Sequence, residues 1–360
     1  MQIKDKNKYF EPLTGFRGLA AISILLFHSL FPCFRALWIG VPMFFVLSGF
    51  LITRILIKNK LAKNYLKVFY FKRALRIFPI YYLALLFSIL WGVLVHNDIS
   101  QLPYFIFYLQ NFTISQNILP DYCNGIMNHT WSLSVEELFY LFWPFIVLVL
   151  NRKALVATSI LIGTSCIFYK LIMITFYYKV QTDQLLMLSL AGNVDGLMAG
   201  SFLGILSLNK ESFIYTSFST KTLALSIFIF TASLAANYWI FFDSKLFSYF
   251  KFLLNQSTIV ASFYTIAWII SEKENLSFCF KIFNSSFLQL TGKISYGLYL
   301  YHAIIYALIE ASFYHFKINV NPIFTLLLKI IITYIVSITS WYLIEKPFLR
   351  LKDRNNYKFV

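Results

Sequence analysis

The sequence has 360 residues, of which 59% are hydrophobic, 20% aromatic and only 13% charged, with a mean hydropathy of +0.69. This composition excludes an ordinary soluble domain and predicts an integral membrane protein. The formal charge of +16 does not indicate nucleic-acid binding, because the basic residues cluster in short segments between apolar runs, as membrane topology requires.

Ten apolar runs are long enough to cross a membrane as helices, so the predicted fold class is an all-α, polytopic membrane helix bundle. A further run at 102–112, LPYFIFYLQNF, is too short to cross and is predicted to form a re-entrant or interfacial segment. The ten runs lie at 13–33, 37–57, 77–95, 131–150, 154–176, 185–207, 222–242, 247–270, 288–314 and 322–345.

The distribution of lysine and arginine predicts the orientation of these runs. If the N-terminus is cytoplasmic, most of the 31 basic residues fall in inner segments, whereas the stretch 96–130 contains none. This asymmetry predicts that both termini are cytoplasmic. We expect one membrane-embedded domain over residues 1–348 and a short basic tail over 349–360 that contacts anionic lipid or solvent.

The four cysteines, Cys33, Cys123, Cys166 and Cys279, are scattered and lack the short paired spacing of zinc or redox sites. No metal site is predicted. Cys33 and Cys123 both fall on the predicted outer side, where they either form a disulfide or serve as apolar packing residues.

The first run, LTGFRGLAAISILLFHSLF, contains Arg17 and His28. Eleven residues at about 100° each bring both side chains to one helix face, about 16 Å apart along the axis. Ionisable groups at membrane depth are costly and usually face a bundle interior or a wet cavity, which indicates a functional role.

The third run begins with a second basic pair. Arg73 and Arg76 are three residues apart and lie on one helix face on the predicted cytoplasmic side. Two guanidinium groups in this arrangement can bind phosphate oxygens with forked hydrogen bonds. The alternative is interfacial anchoring, with the side chains extending to lipid phosphates.

The fourth run, NHTWSLSVEELFYLFWPF, buries Glu136 and Glu137. Adjacent residues point about 100° apart, so one of the two carboxylates is expected to face a site. Glu136 has a predicted depth similar to that of His28, and a carboxylate beside an imidazole orients it as a general base. The alternative is a polar pair that joins two helices.

A polar stripe follows in the ninth run, ISYGLYLYH, where Ser295, Tyr299 and His302 recur at helical spacing. Such a stripe either lines a substrate cavity or ties neighbouring helices together. On the first alternative, Tyr299 and His302 are predicted to bind substrate.

Two further acids have simpler explanations. Asp195 lies among small residues and is expected to be a packed, hydrogen-bonded carboxylate. Glu345 at the end of the last run is expected to form an ion pair with Lys346.

Together these stretches resemble the acyltransferase-3 family of membrane acyltransferases over most of the chain. The resemblance rests on LTGFRGLAAISILLFH, GVPMFFVLSGFLIT, RALRIFPIYYL, WSLSVEELFYLFWP, ISYGLYLYH and EKP, all in family order. Members often have an acidic residue after the Gly-Val of the second motif, whereas this chain has Pro42. This chain therefore lacks an acidic residue at that position.

The resemblance implies transfer of an acyl group, commonly acetyl, from cytoplasmic acyl-coenzyme A to a hydroxyl of a cell-surface carbohydrate such as O-antigen. Arg73, Arg76 and Arg17 would hold the phosphates of the donor. His28 would act at the reacting centre with assistance from Glu136. Acyl-coenzyme A is then a co-substrate, and no permanently bound cofactor is expected.

The resemblance leaves two mechanisms open and implies a bacterial inner membrane as the location. His28 either deprotonates the sugar hydroxyl for direct attack on the thioester or carries the acyl group itself. The expected acceptor is a carbohydrate or a glycolipid.

Two other classes fit parts of the pattern. A transporter or flippase for a glycan or an acylated small molecule would also have many spans with polar residues at depth. A structural or regulatory membrane protein is a third class, but it leaves the placement of Arg17, Arg73, Arg76, His28 and Glu136 without a purpose.

Overall fold

The computed structural model describes residues 11–29, 31–94, 100–115, 126–178, 185–186, 188–208, 220–239, 245–271 and 278–351. Within these ranges the regular structure is entirely helical. Cys123, the lysines before residue 11 and the tail from residue 352 lie outside the described residues, so the predicted Cys33–Cys123 pairing and the basic tail remain predictions.

The helices are numbered here in chain order. They are α1 (Glu11–Phe27), α2 (Gly40–Lys58), α3 (Tyr65–Leu94), α4 (Leu102–Ile106), α5 (Gln110–Ser115), α6 (Trp131–Val149), α7 (Arg152–Phe176), α8 (Val194–Leu206), α9 (Thr220–Trp239), α10 (Lys245–Ser271), α11 (Phe278–Phe283), α12 (Ser286–Lys293), α13 (Ser295–His315), α14 (Pro322–Ser340) and α15 (Lys346–Leu351). A π-helical turn, Trp341–Glu345, joins α14 to α15.

The predicted all-helical membrane protein is confirmed. Among the described residues, six helical segments are long and apolar enough to cross a membrane, and a seventh is added if α12 and α13, which are bent by 73°, form one span. Seven of the ten predicted runs coincide with these segments, whereas the runs at 13–33, 185–207 and 222–242 overlap α1, α8 and α9, which do not meet this test. The predicted count of ten crossings is therefore not confirmed.

Helix α3 begins earlier than the apolar run at 77–95 predicts. It starts at Tyr65 and continues for 30 residues, a length of about 45 Å, which exceeds the roughly 30 Å of a bilayer core. The basic segment before the apolar run is therefore part of the helix. Arg73 and Arg76 lie on its interior turns and not at its start.

Helices α2 and α8 pack together at the centre of the bundle. Gly49 of α2 lies against the backbone of Leu197, and Gly200 of α8 lies against the backbone of Val46. A Cβ atom at either glycine would overlap a carbonyl oxygen. The small residues therefore allow the two backbones to touch, as is common between membrane helices.

The short segment at 102–112 forms α4 and α5, which meet at Tyr108 with a φ of 56°. The side-chain amide of Gln110 donates to the carbonyl oxygen of Thr130 at 3.0 Å. The hydroxyl of Ser134, which has one hydrogen to donate, lies against the backbone oxygen of Tyr108 and the side-chain oxygen of Asn111. The segment is thus packed against the start of α6, where irregular backbone is tolerated because it is buried in protein.

Candidate active site

His28 lies immediately after the last residue of α1. Its backbone N–H donates to the carbonyl oxygen of Ile24 at 3.1 Å, and its Nδ1 lies 3.0 Å from the same oxygen. A carbonyl oxygen only accepts, so we assign the ring hydrogen to Nδ1. This tautomer leaves the lone pair on Nε2, which is the atom required of a general base.

Two more imidazoles surround His28, and we call the three together the histidine cluster (His28, His129 and His302). The ring centroid of His302 lies 4.7 Å from that of His28 and 4.8 Å from that of His129, and the His28–His129 distance is 6.4 Å. His302 is completely buried, and its Nδ1 lies 3.2 Å from the carbonyl oxygen of Leu298. The described residues offer no hydrogen-bond partner to Nε2 of His302 or to either ring nitrogen of His129.

Tyr299 fixes the position of His129. Its hydroxyl lies 2.9 Å from the hydroxyl of Ser132 and donates to the backbone carbonyl of His129. The turn that carries His129 is thereby held between α6 and α13. This arrangement brings Tyr299 of the predicted polar stripe into contact with Ser132 of the acidic run.

A cavity of about 380 Å³ opens beside the histidine cluster, and we call it the outer cavity. His28, His129 and Tyr299 lie on its wall. The remaining wall is largely aromatic and aliphatic, with several polar side chains, as in many ligand sites. Its other polar and aromatic members include Trp38, Trp131, Phe247, Phe252, Arg35, Lys170, Lys251, Asn193, Asn237, Asn255 and Ser248.

The wall includes Tyr299 but not His302. His302 is completely buried and its ring contacts that of His28. Substrate binding by Tyr299 remains a prediction, whereas His302 does not reach the outer cavity, because helical spacing alone does not show which side chains a cavity exposes.

On α1 and α3 lies a second group, the arginine cluster (Arg17, Arg73 and Arg76). Arg17 is close enough to Arg73 and Arg76 for the three charges to repel one another. The guanidinium of Arg73 stacks on the ring of Tyr140, 3.8 Å from its centroid. Within the described part of the chain, the ion pairs are Lys170–Asp195 and Lys329–Glu310, so no carboxylate neutralises the arginine cluster at contact distance.

Glu136 lies with the arginine cluster and not with His28. Its Oε1 accepts a hydrogen bond from Ser48 at 2.7 Å and its Oε2 accepts one from Tyr140 at 3.1 Å. Arg73 and Arg17 are within electrostatic range of this carboxylate. No hydrogen bond joins Glu136 to His28 in the described residues, so the predicted pairing is wrong: similar depth did not fix the direction in which α6 turns the side chain.

Two other carboxylates approach the arginine cluster. Glu137 is within electrostatic range of Arg73, and Glu345 is within range of Arg76. An Oε1 of each is buried without a hydrogen-bond partner among the described residues. The predicted Glu345–Lys346 ion pair is not formed, because the Lys346 ammonium lies over the ring of Tyr342 instead, 5.1 Å from its centroid.

Asp195 has the hydrogen-bonded carboxylate that was predicted. Its Oδ2 accepts from Lys170 at 2.7 Å and from Gln256 at 2.8 Å, and its Oδ1 accepts from the backbone N–H of Gly196 at 3.0 Å. Lys170 was not predicted as the partner, because near the end of an apolar run a lysine is usually taken as an interfacial anchor.

His129 was also not predicted. It lies two residues before the WSLSVEE motif, which could have drawn attention to it, but it falls in a stretch interpreted as an outer loop. Its contact with His28 depends on tertiary packing, including the hydrogen bond from Tyr299 of α13 to its carbonyl oxygen.

Comparison with known proteins agrees with these features. A family model described as an acyltransferase domain matches residues 11–342. The peptidoglycan O-acetyltransferase OatA of Listeria monocytogenes is 27% identical over 98% of this chain and 59% of its own length. The putative peptidoglycan O-acetyltransferase YrhL of Bacillus subtilis is 27% identical over 95% of this chain and 55% of its own length.

A putative O-acetyltransferase of Staphylococcus aureus is 26% identical over 95% of this chain and 58% of its own length. The chain therefore spans a little more than half the length of these relatives. No solved structure matches the chain.

Proposed function

The chain belongs to the acyltransferase-3 family of integral membrane acyltransferases, and on this premise we propose that it moves an acetyl group from cytoplasmic acetyl-coenzyme A to a hydroxyl of a cell-surface glycan. The observation that carries the proposal is the division of the site. Three guanidinium groups without a carboxylate at contact distance include Arg17 near the start of α1, and His28, which follows the end of α1, lies on the wall of the outer cavity.

Helix α1 connects the two halves of the site. It carries Arg17, and His28 follows its last residue, so the two are separated by about 16 Å along the helix axis. We propose that the donor phosphates bind the arginine cluster with charge-assisted hydrogen bonds, for which arginine is well suited. The thioester end of the donor then extends along α1 to His28.

The proposed reaction is direct transfer. Nε2 of His28 takes the proton from the acceptor hydroxyl, whose oxygen forms a bond to the acyl carbon of the thioester. The carbon–sulfur bond breaks, and the departing thiolate of coenzyme A takes up the proton held by His28. The products are an O-acyl glycan and free coenzyme A, and direct transfer suits a base that lies on the wall of the outer cavity.

Glu136 has a different role from the one first predicted. With Ser48 and Tyr140 as its hydrogen-bond partners, we propose that it positions the ring on which Arg73 stacks. It thus acts through the donor site and not through His28.

The relatives are named for peptidoglycan, so we propose a surface glycan as the acceptor without retaining O-antigen as the preferred one. A hydroxyl on the outer side of the membrane requires the outer cavity to open outward. From the distribution of basic residues we also propose ten crossings and cytoplasmic termini. The proposed location is the bacterial inner membrane.

Release of free coenzyme A from acetyl-coenzyme A tests the proposal. The purified protein in lipid nanodiscs is assayed with and without a surface-glycan extract, beside the variants His28→Ala and His315→Ala. His315 ends α13 and is exposed, which makes it a matched control. We expect release that the extract increases and that His28→Ala reduces by at least about a hundredfold, as for loss of a general base.

Near-normal release by His28→Ala, or neither release nor binding of radiolabelled acetyl-coenzyme A by the wild type, would contradict the proposal. Movement of an unmodified glycan across the membrane of a proteoliposome would instead favour a transporter.

A further inference from the structure

Lys170 lies on the wall of the outer cavity but is not used by the proposed reaction. Its side chain is 6% exposed, and its ammonium nitrogen lies 2.7 Å from Oδ2 of Asp195 and 3.4 Å from Oδ1 of Asn255. An ammonium group has three hydrogens. Two are accounted for by these acceptors, which hold the group in a fixed position and leave the third for the cavity.

Two amide groups extend this set of donors. Asn255 lies on the wall, and its side-chain oxygen accepts from Lys170 and from Gln256, so its NH₂ group is the end left to donate. Asn237 also lies on the wall and is only 3% exposed, and its Nδ2 is buried without a hydrogen-bond partner. A buried donor without an acceptor is costly, and such groups usually have a partner that completes them.

The charges on the wall have one sign. Arg35, Lys170 and Lys251 line the outer cavity, whereas no aspartate or glutamate among the described residues does. The nearby carboxylate of Asp195 is occupied by Lys170, Gln256 and the backbone of Gly196. The outer cavity therefore offers hydrogen-bond donors and positive charge to a ligand that supplies accepting oxygens.

We propose that the outer cavity selects an acceptor sugar that bears a carboxylate, with the carboxylate oxygens bound by Lys170, Asn237 and Asn255. Hydrogen bonds from a cation to a carboxylate are among the strong ones. Trp38 and Trp131 on the same wall provide flat apolar surfaces for the sugar ring. The presentation of a hydroxyl to His28 rests on the proposed function, whereas recognition of the carboxylate does not.

Binding without any acyl donor tests this proposal directly. Three probes that differ only at the sixth carbon are titrated into the purified full chain in nanodiscs by calorimetry: 4-nitrophenyl β-glucuronide, its methyl ester and 4-nitrophenyl β-glucoside. We expect the glucuronide to bind about tenfold more tightly than either neutral probe, since a single charge-assisted contact is worth at least that factor.

Asn255→Asp replaces a donor with a carboxylate of nearly the same shape. We expect this variant to bind the glucuronide no more tightly than the glucoside. Asn321→Asp makes the same substitution at the N-cap of α14, where the side chain accepts from the backbone of Ile323 and aspartate is equally suited. This control is expected to keep the preference of the wild type.

A second variant tests the same site in case the first variant does not fold. Lys170→Met combined with Asp195→Asn removes the ammonium without leaving a buried carboxylate unpaired, and it is also expected to lose the preference. Equal binding of glucuronide and methyl ester, no binding of any probe, or a preference that survives in both variants would overturn the carboxylate site.

The two proposals fail in different assays. A carboxylate preference without release of coenzyme A would overturn the transferase and leave the carboxylate site standing. Release of coenzyme A with no carboxylate preference would support the transferase and overturn the carboxylate site.

Discussion

At the scale of single residues, the site separates imidazoles from carboxylates. His28 lies with His129 and His302, while Glu136, Glu137 and Glu345 lie within range of the arginine cluster. A general base is usually oriented by a carboxylate, but here the backbone carbonyl of Ile24 orients His28. The neighbouring ring of His302 keeps that orientation by packing.

His302→Gln is expected to lower kcat by about tenfold, less than the hundredfold or more expected for loss of the general base itself, with little change in either KM. The reason is that His302 contacts His28 but does not line the outer cavity. Steady-state kinetics over a range of pH checks this expectation, because a change in the environment of His28 shifts the pH profile, with His315→Gln as the control. An increased acceptor KM at unchanged kcat would instead indicate that His302 binds the acceptor.

Arg73→Gln and Arg76→Gln are each expected to raise the KM for acetyl-coenzyme A by about tenfold, the factor for one lost charge-assisted contact, and to leave the acceptor KM unchanged. Arg350→Gln is the matched control, because Arg350 is exposed in α15. Initial rates measured against each substrate decide the result. Equal effects on both substrates would argue against a donor site at the arginine cluster.

At the scale of helices, the position of the site depends on contact between backbones. Helix α2 carries Ser48, the partner of Glu136, and α8 carries Asp195, the partner of Lys170. The two helices meet through Gly49 and Gly200. Separation of α2 from α8 would therefore disturb the donor side and the outer cavity together.

Gly200→Ala is expected to destabilise the fold by about 1–3 kcal/mol, because its Cβ would be forced into the carbonyl of Val46. Gly163→Ala in α7 is the matched control: its Cβ would meet only Met198, at an ordinary 3.5 Å, and alanine favours the helix by up to about 1 kcal/mol. Thermal unfolding in detergent measures both. Equal midpoints for the two variants would mean that α2 and α8 can move apart at little cost.

At the scale of the whole molecule, the orientation in the membrane decides which substrate reaches which half of the site. Cys33 is exposed in the segment between α1 and α2, and Leu61, between α2 and α3, is 96% exposed. The distribution of basic residues predicts that these two segments lie on opposite sides.

Labelling with a membrane-impermeant maleimide tests this orientation. A variant that keeps only Cys33 is expected to react in intact spheroplasts, whereas a variant whose only cysteine is Leu61→Cys is expected to react only after permeabilisation. The reverse pattern would invert the proposed orientation. It would place the arginine cluster on the side of the membrane opposite to cytoplasmic acetyl-coenzyme A.

The sequence was sufficient to predict the class of fold and the family, because apolar length and ordered motifs are local properties. It did not predict the rotation of helices about their axes. Glu136 was assigned to His28 from depth alone, although α6 turns it towards α2. Lys170 and His129 were missed for a related reason: their partners, Asp195 and His28, come from distant parts of the chain.

The burial of the histidine cluster has a consequence for the membrane as an electrical barrier. His129 and His302 are only 8% and 0% exposed, and Tyr299 closes the same end of the outer cavity. These rings lie against His28, so we expect the acyl group to cross at a closely packed point and not through an open channel. On the proposed function, a cell can therefore modify its exterior with carbon from its cytoplasm while the gradient that powers its other membrane proteins stays intact.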